Sequence, residues 1–133
     1  MQVLLDTHTL IWALEDNPKL NDFARDIITD MHNTIFVSTA SIWEIAIKSS
    51  VKENFPYEVD KIISLCSRIG YRFLGIGVEE LKVYNSLRVK ENEIVNKDPF
   101  NRILISQAKV NGMKLLTHDY LIKKFDENCI IGF

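Results

Sequence analysis

The chain has 133 residues, 47% apolar and 26% charged, with sixteen Lys plus Arg against eighteen Asp plus Glu and a formal charge of -2. That length suits one domain with a substantial core, and the composition excludes global disorder. So small a net charge excludes a strong overall field for a polyanion, so any nucleic-acid function needs a local basic patch.

Val3-Leu4-Leu5 is a short apolar run suited to a strand buried on both faces, and Asp6-Thr7 ends it. Residues Thr9 to Leu14 can start a short helix that Asn17-Pro18 breaks. A second helix is expected from about Leu20 to Met31, with Leu20, Phe23, Ala24, Ile27, Ile28 and Met31 as its apolar stripe. Asn33 to Ser38 reads as a second strand. Ser38 or Thr39 can cap the next helix, for which Ile42, Trp43, Ile45, Ala46, Ile47 and Val51 supply the packing side.

Pro56 fits the first turn of a further helix that Gly70 closes. Tyr71 to Ile76 is the third expected strand, followed by a charged helix from Glu79 to Leu87. Arg88 to Lys97 has weak periodicity and many charges, the pattern of a mobile loop or a solvated connection. Pro99 suits the first position of a helix that ends at Gly112. Met113 to Thr117 and Cys129 to Ile131 are the last two strands, with a short helix between them over Tyr120 to Phe125. Strands alternating with helices predict one α/β domain over residues 1–133, in three α/β/α layers around a mostly parallel sheet.

Cys66 and Cys129 lack a CxxC or Cys/His pattern and read as buried or partly buried thiols. The opening MQVLLDTHTLIWALEDN lacks a basic n-region and a small-residue cleavage site, and no run is long and apolar enough to span a membrane. A cytoplasmic protein is the expectation.

In a parallel α/β domain, functional loops collect at the carboxyl ends of the strands where strand order reverses. Asp6 follows the first strand and Asp119 the fourth. Glu44 lies on the helix after the second, and Asp98 directly precedes the Pro99 helix. Gathering these acids requires compensating charge, which Mg²⁺ or Mn²⁺ supplies through hard oxygen ligands. Such an ion orients and acidifies water and stabilises charge on a phosphodiester under attack. Each acid also has a plainer reading, as a surface group for Asp6 and Glu44 and as a helix cap for Asp98 and Asp119.

Around this edge, His8 can touch substrate or position its loop, and His118 can contact phosphate or stay in solvent. Ser38, Ser41 and Thr117 can hydrogen-bond an acid, a water or a phosphate, or serve the backbone. Lys48 lies four residues after Glu44 and Arg102 four after Asp98, as ordinary ion pairs or as phosphate contacts. Arg88, Lys90, Lys97 and Arg102 together make a candidate basic rim. Trp12 and Trp43 favour packing over base stacking.

The segments LLDTHTLIWAL from Leu4, STASIWEIAIKSS from Ser38, KDPFNRILISQAKVNG from Lys97 and LLTHD from Leu115 carry a resemblance over nearly the whole chain. It resembles the PIN-domain ribonucleases of the VapC toxin family. The resemblance implies a doubly wound parallel sheet and hydrolysis of RNA with Mg²⁺ or Mn²⁺, leaving 5′-phosphate and 3′-hydroxyl ends. It also implies a cognate antitoxin protein as partner, and a homodimer. Asp6, Glu44 and Asp119 match the family's first, second and last acidic positions. Where the family form resembles D-P-F-D-R, this chain has Asp98-Pro99-Phe100-Asn101-Arg102, so Asn101 replaces a carboxylate. The expected metal set is therefore Asp6, Glu44, Asp98 and Asp119, with Asn101 as a neutral member. The Arg88–Lys97 loop is the candidate for RNA sequence recognition.

Overall fold

The computed structural model describes residues 1–51, 55–94 and 98–133. Its elements, in chain order, are β1 (Gln2–Leu5), α1 (Thr7–Glu15), α2 (Asp22–Thr29), β2 (Thr34–Ser38), α3 (Thr39–Val51), α4 (Val59–Ile69) and β3 (Arg72–Leu74). After these come α5 (Val78–Val83), α6 (Pro99–Asn111), β4 (Lys114–Thr117) and β5 (Ile130–Gly132), with 3-10 turns at Tyr84–Ser86 and Ile122–Lys124. The strands form one five-stranded sheet in the order β3-β2-β1-β4-β5. Every pairing in it is parallel, with Leu5 opposite Val37 on one side and Leu116 on the other.

Strand alternation divides the apolar residues between two cores. Val3, Leu5, Ile35, Val37 and Leu116 face a layer built from α1 to α4, where Leu10, Ala24, Ile45, Ile62 and Cys66 are buried. Leu4, Phe36 and Leu115 face the other way, onto Leu104, Ile105 and Ala108 of α6. Because both faces are covered, β1 and β4 read as continuous apolar runs, and burial of each such Leu stabilises the fold by about 2 kcal/mol. The α/β/α layering expected from the alternating elements is what the chain adopts.

The differences lie at element ends and on helix faces. β3 is confined to Arg72–Leu74 and leaves Ile76 exposed, while the last expected helix is only a 3-10 turn. Pro56 lies outside its helix, which starts after Glu58. The stripe assigned to α2 is only partly internal, since Phe23 and Met31 are exposed; on α3, Trp43, Ile47 and Val51 are exposed and Ile45 is buried. Helical periodicity identifies an apolar side without saying what covers it. Both cysteines are free and buried. No described helix is long and apolar enough to cross a membrane.

The segment expected as a mobile loop is anchored at its beginning; residues 95–97, including Lys97 of the candidate rim, lie outside the described part. Val89 forms an antiparallel bridge with Phe125, and the Lys90 amide donates to the Lys124 carbonyl at 2.9 Å. The buried Glu127 carboxylate accepts the Arg88 amide at 2.9 Å and Lys109 Nζ at 2.8 Å. Burial pushes this carboxyl up, but the Arg88 amide and the charges of Lys109 and Arg88 outweigh it, leaving Glu127 below the ordinary glutamate range.

A carboxyl whose folded pKa is lowered contributes stability above its unfolded value and loses it as pH falls through the folded one. Glu127→Gln is therefore expected to cost about 1–3 kcal/mol at neutral pH. It should also flatten the loss of stability below the ordinary glutamate range, read from urea midpoints between pH 7 and pH 3. Equal midpoints at every pH would contradict the anchoring role.

Candidate active site

Sheet order reverses between β1 and β4, and the carboxyl ends of these strands carry the central side chains. Asp6 follows β1 directly and caps α1, its Oδ1 accepting the Thr9 amide at 2.8 Å. Its Oδ2 accepts a short hydrogen bond from the Thr117 hydroxyl at the end of β4. The hydroxyl in turn accepts the Asp119 amide at 3.0 Å. Asp119 Oδ1 accepts the Leu121 amide at 2.8 Å, and its Oδ2 accepts Asn101 Nδ2 at 3.4 Å. Asn101 sits in the first turn of α6, whose N-cap is Asp98. Asp98 Oδ1 accepts the Phe100 and Asn101 amides at 2.8 and 3.4 Å. A hydrogen-bonded chain thus runs from Asp6 through Thr117, Asp119 and Asn101 to Asp98, joining two strand ends to two helix starts.

Asp6 is only 3% exposed. Burial pushes its carboxyl above the ordinary aspartate range, and hydrogen bonds from Thr117 and Thr9, with a smaller contribution from His8, offset only part of that rise. A carboxylate with so little water around it interacts strongly with a cation that reaches it, because solvent does not screen its charge.

Glu44 lies one turn into α3 with its carboxylate 3.2 Å from Lys48 Nζ. The start of α3 is tied to this edge by Thr7 Oγ1 donating to Ser41 Oγ at 3.0 Å, and its outer side meets α6 through Trp43 edge-on to Phe100. The tight four-acid cluster expected from the sequence is not assembled. Among the described residues, no three His, Cys, Asp or Glu side chains form a group able to hold a metal. Glu44 pairs with its lysine, Asp98 accepts two backbone amides and Asp119 accepts an amide side chain. The donors the edge does present, from Asp6, Asp119 and Asn101, are oxygen atoms, which fit a hard divalent cation in kind.

The other candidates divide. Ser38 is buried and committed, donating to Gln107 Oε1 at 2.6 Å and accepting the Ala40 amide at 2.9 Å. Gln107, which no sequence motif singled out, then reaches the Gly75 carbonyl at 3.1 Å and braces α6 against the segment after β3. Arg102 places its guanidinium over the Tyr84 and Phe125 rings and donates to the Tyr84 carbonyl at 3.0 Å. Arg88 reaches toward Glu127 at 3.8 Å. Two members of the expected basic rim are therefore engaged with the protein. His8 and His118 are exposed beside Asp6 and Asp119. The His8 and Trp12 rings are stacked, and His118 meets Trp12 edge-on.

The model of the family described as PIN domain matches residues 3–128. The chain is similar in fold to VapBC2 from Rickettsia felis bound to a DNA fragment from its promoter, with TM-score 0.70 and 15% identity over 99% of this chain and 98% of that one. It is also similar to a toxin–antitoxin complex from Klebsiella pneumoniae, with TM-score 0.63 and 14% identity over 97% and 95%. FitAcB from Neisseria gonorrhoeae gives TM-score 0.60 and 14% identity over 88% and 87%. No curated protein sequence matches.

With its folded pKa raised, ionised Asp6 opposes folding once pH exceeds the unfolded value, and the cost grows until the folded value is reached. Asp6→Asn removes that cost while keeping an acceptor for Thr9. In chelator at pH 7 its melting temperature is expected to equal or exceed that of the wild type, checked by calorimetry; a large decrease would mean that the carboxylate is needed for folding.

Proposed function

The chain belongs to the PIN domain family, and on that premise we propose that it is a divalent-metal-dependent endoribonuclease, the toxin of a toxin–antitoxin pair. The reading takes residues 1–133 as one PIN domain working in the cytoplasm. The observation that carries it is the Asp6–Thr117–Asp119–Asn101 chain at the strand-order reversal.

Asp6, Asp119 and the Asn101 carbonyl oxygen would hold Mg²⁺ or Mn²⁺, with Glu44 joining them on release from Lys48. When bound, the ion supplies an activated water and charge neutralisation at an RNA phosphodiester. Thr117 holds the Asp6 carboxylate and the Asp119 backbone together, which limits reorganisation as charge builds at the phosphate. Asn101 orients Asp119 through its amide while adding no negative charge. Lys48, once free of Glu44, is a cation for a substrate phosphate. In-line attack by water would leave 5′-phosphate and 3′-hydroxyl ends.

The antitoxin partner is supported by an apolar groove of about 330 Å³ on the outer side of α3, lined by Ile42, Trp43, Ala46, Ile63 and Phe73. A groove of this kind suits an apolar segment of another protein, and a homodimer is part of the same reading. Asn101 favours a second reading, a PIN domain with weakened catalysis that binds RNA or protein, because one carboxylate of the family pattern is missing.

Purified protein is to be assayed on structured RNA, single-stranded RNA and DNA, with and without Mn²⁺ or Mg²⁺. Metal-dependent cleavage of RNA that Asp6→Asn abolishes is the expected result; cleavage unchanged by Asp6→Asn would refute the site. Cleavage of DNA alone would move the reading to a different phosphoesterase. Asn101→Asp is expected to retain or raise Mn²⁺ affinity by titration calorimetry, and a marked loss in a folded variant would contradict Asn101 as a member of the site.

A further inference from the structure

The rings beside the acidic edge form a continuous cluster that metal binding does not use. His8 and Trp12 are stacked at 6.2 Å with an interplanar angle of 24°. His118 lies edge-on to Trp12 at 5.4 Å and tilted against Phe133 at 5.1 Å. Trp12 and Phe133 are half-buried and pack against the core, so they support the cluster from beneath, while both histidine rings are exposed. Lys19 Nζ stands 5.7 Å from the centre of the Trp12 ring. His118 Nδ1 is 2.6 Å from the main-chain oxygen of Phe133, which also accepts Lys123 Nζ at 2.8 Å. The His118 ring is therefore held in place by the chain that follows β5.

We propose that His8 and His118, backed by Trp12, form a stacking subsite for an unpaired RNA base next to the phosphate handled by Asp6 and Asp119. The inference rests on the nuclease reading and adds to it the form of RNA accepted. His8 is two residues past Asp6, and His118 directly precedes Asp119, so a nucleotide bound at the acids has these rings as neighbours. Stacking needs an open base face, and in a duplex both faces are covered by adjacent bases. A single strand, a loop or a bulge is thus selected over paired RNA. Every base offers a π-face, so the subsite tolerates sequence while Lys19 supplies positive charge for the backbone nearby.

The test uses the Asp6→Asn protein with Mg²⁺, so that RNA stays intact, and single-stranded oligoribonucleotides carrying one abasic residue walked along the strand. Affinity is expected to fall about 10-fold when the abasic residue occupies the subsite. Adding His8→Ala should cost a similar factor on intact RNA and make binding indifferent to the abasic position, whereas His8→Phe, which keeps a ring face, should restore the dependence. A 2-aminopurine at the same position should be quenched on binding, and less so with His8→Ala. No abasic penalty at any position, or the same penalty with and without His8→Ala, overturns the subsite. Wild-type cleavage of RNA measured in parallel separates the failures: cleavage without an abasic penalty rejects the subsite alone, while neither binding nor cleavage of any RNA rejects the nuclease reading with it.

Discussion

A carboxylate is held out of water at the point where the strand order reverses. Asp6 sits there because β1 ends one residue earlier and α1 starts one residue later, and little of it reaches solvent. An isolated buried carboxylate would cost several kcal/mol, on the order of the penalty for burying a charge in a protein interior. The Thr117 hydroxyl and the Thr9 amide reduce that cost without removing it, as the raised pKa of Asp6 indicates. A carboxylate so buried calls for a proton or a cation, and Asp119 lies one hydroxyl away.

This demand depends on the two cores. Val3 and Leu5 anchor β1 to the layer of α1 to α4, and Leu4 anchors it to α6, so β1 cannot shift to relieve the Asp6 that follows it. α6 also brings Asp98 and Asn101 to the edge through its N-terminus. Ser38 and Gln107 join the end of β2 to α6, so the position of α6 is set by buried hydrogen bonds as well as by apolar contact. Polar groups that look available for substrate in a linear chain are in part consumed in this bracing.

Asn101 sets this chain apart from the PIN pattern that its motifs resemble. A carboxylate in place of Asn101 would repel that of Asp119 unless a cation lay between them, whereas an amide donates a hydrogen bond to it. The edge is less charged for it, and Asp119 is held by that amide and by the Leu121 backbone. His8 and His118, next to Asp6 and Asp119 in the chain, meet over the Trp12 ring.

Much of this was legible in the chain alone. The apolar runs of β1 and β4, the Pro99 and Gly112 that bound α6, and the order of LLDTH, STASIWE, DPFNR and LLTHD are local signals, because strand burial, helix termini and motif spacing are written in neighbouring residues. They determined the α/β layering, the family resemblance and the placing of Asp6 and Asp119 at strand ends. Tertiary structure decided which partner each polar group takes: Glu44 with Lys48, Asp98 with its own helix, Arg102 over Tyr84 and Phe125, Ser38 with Gln107. Those choices join residues far apart in the chain and depend on sub-ångström distances between side chains, which composition and periodicity do not encode.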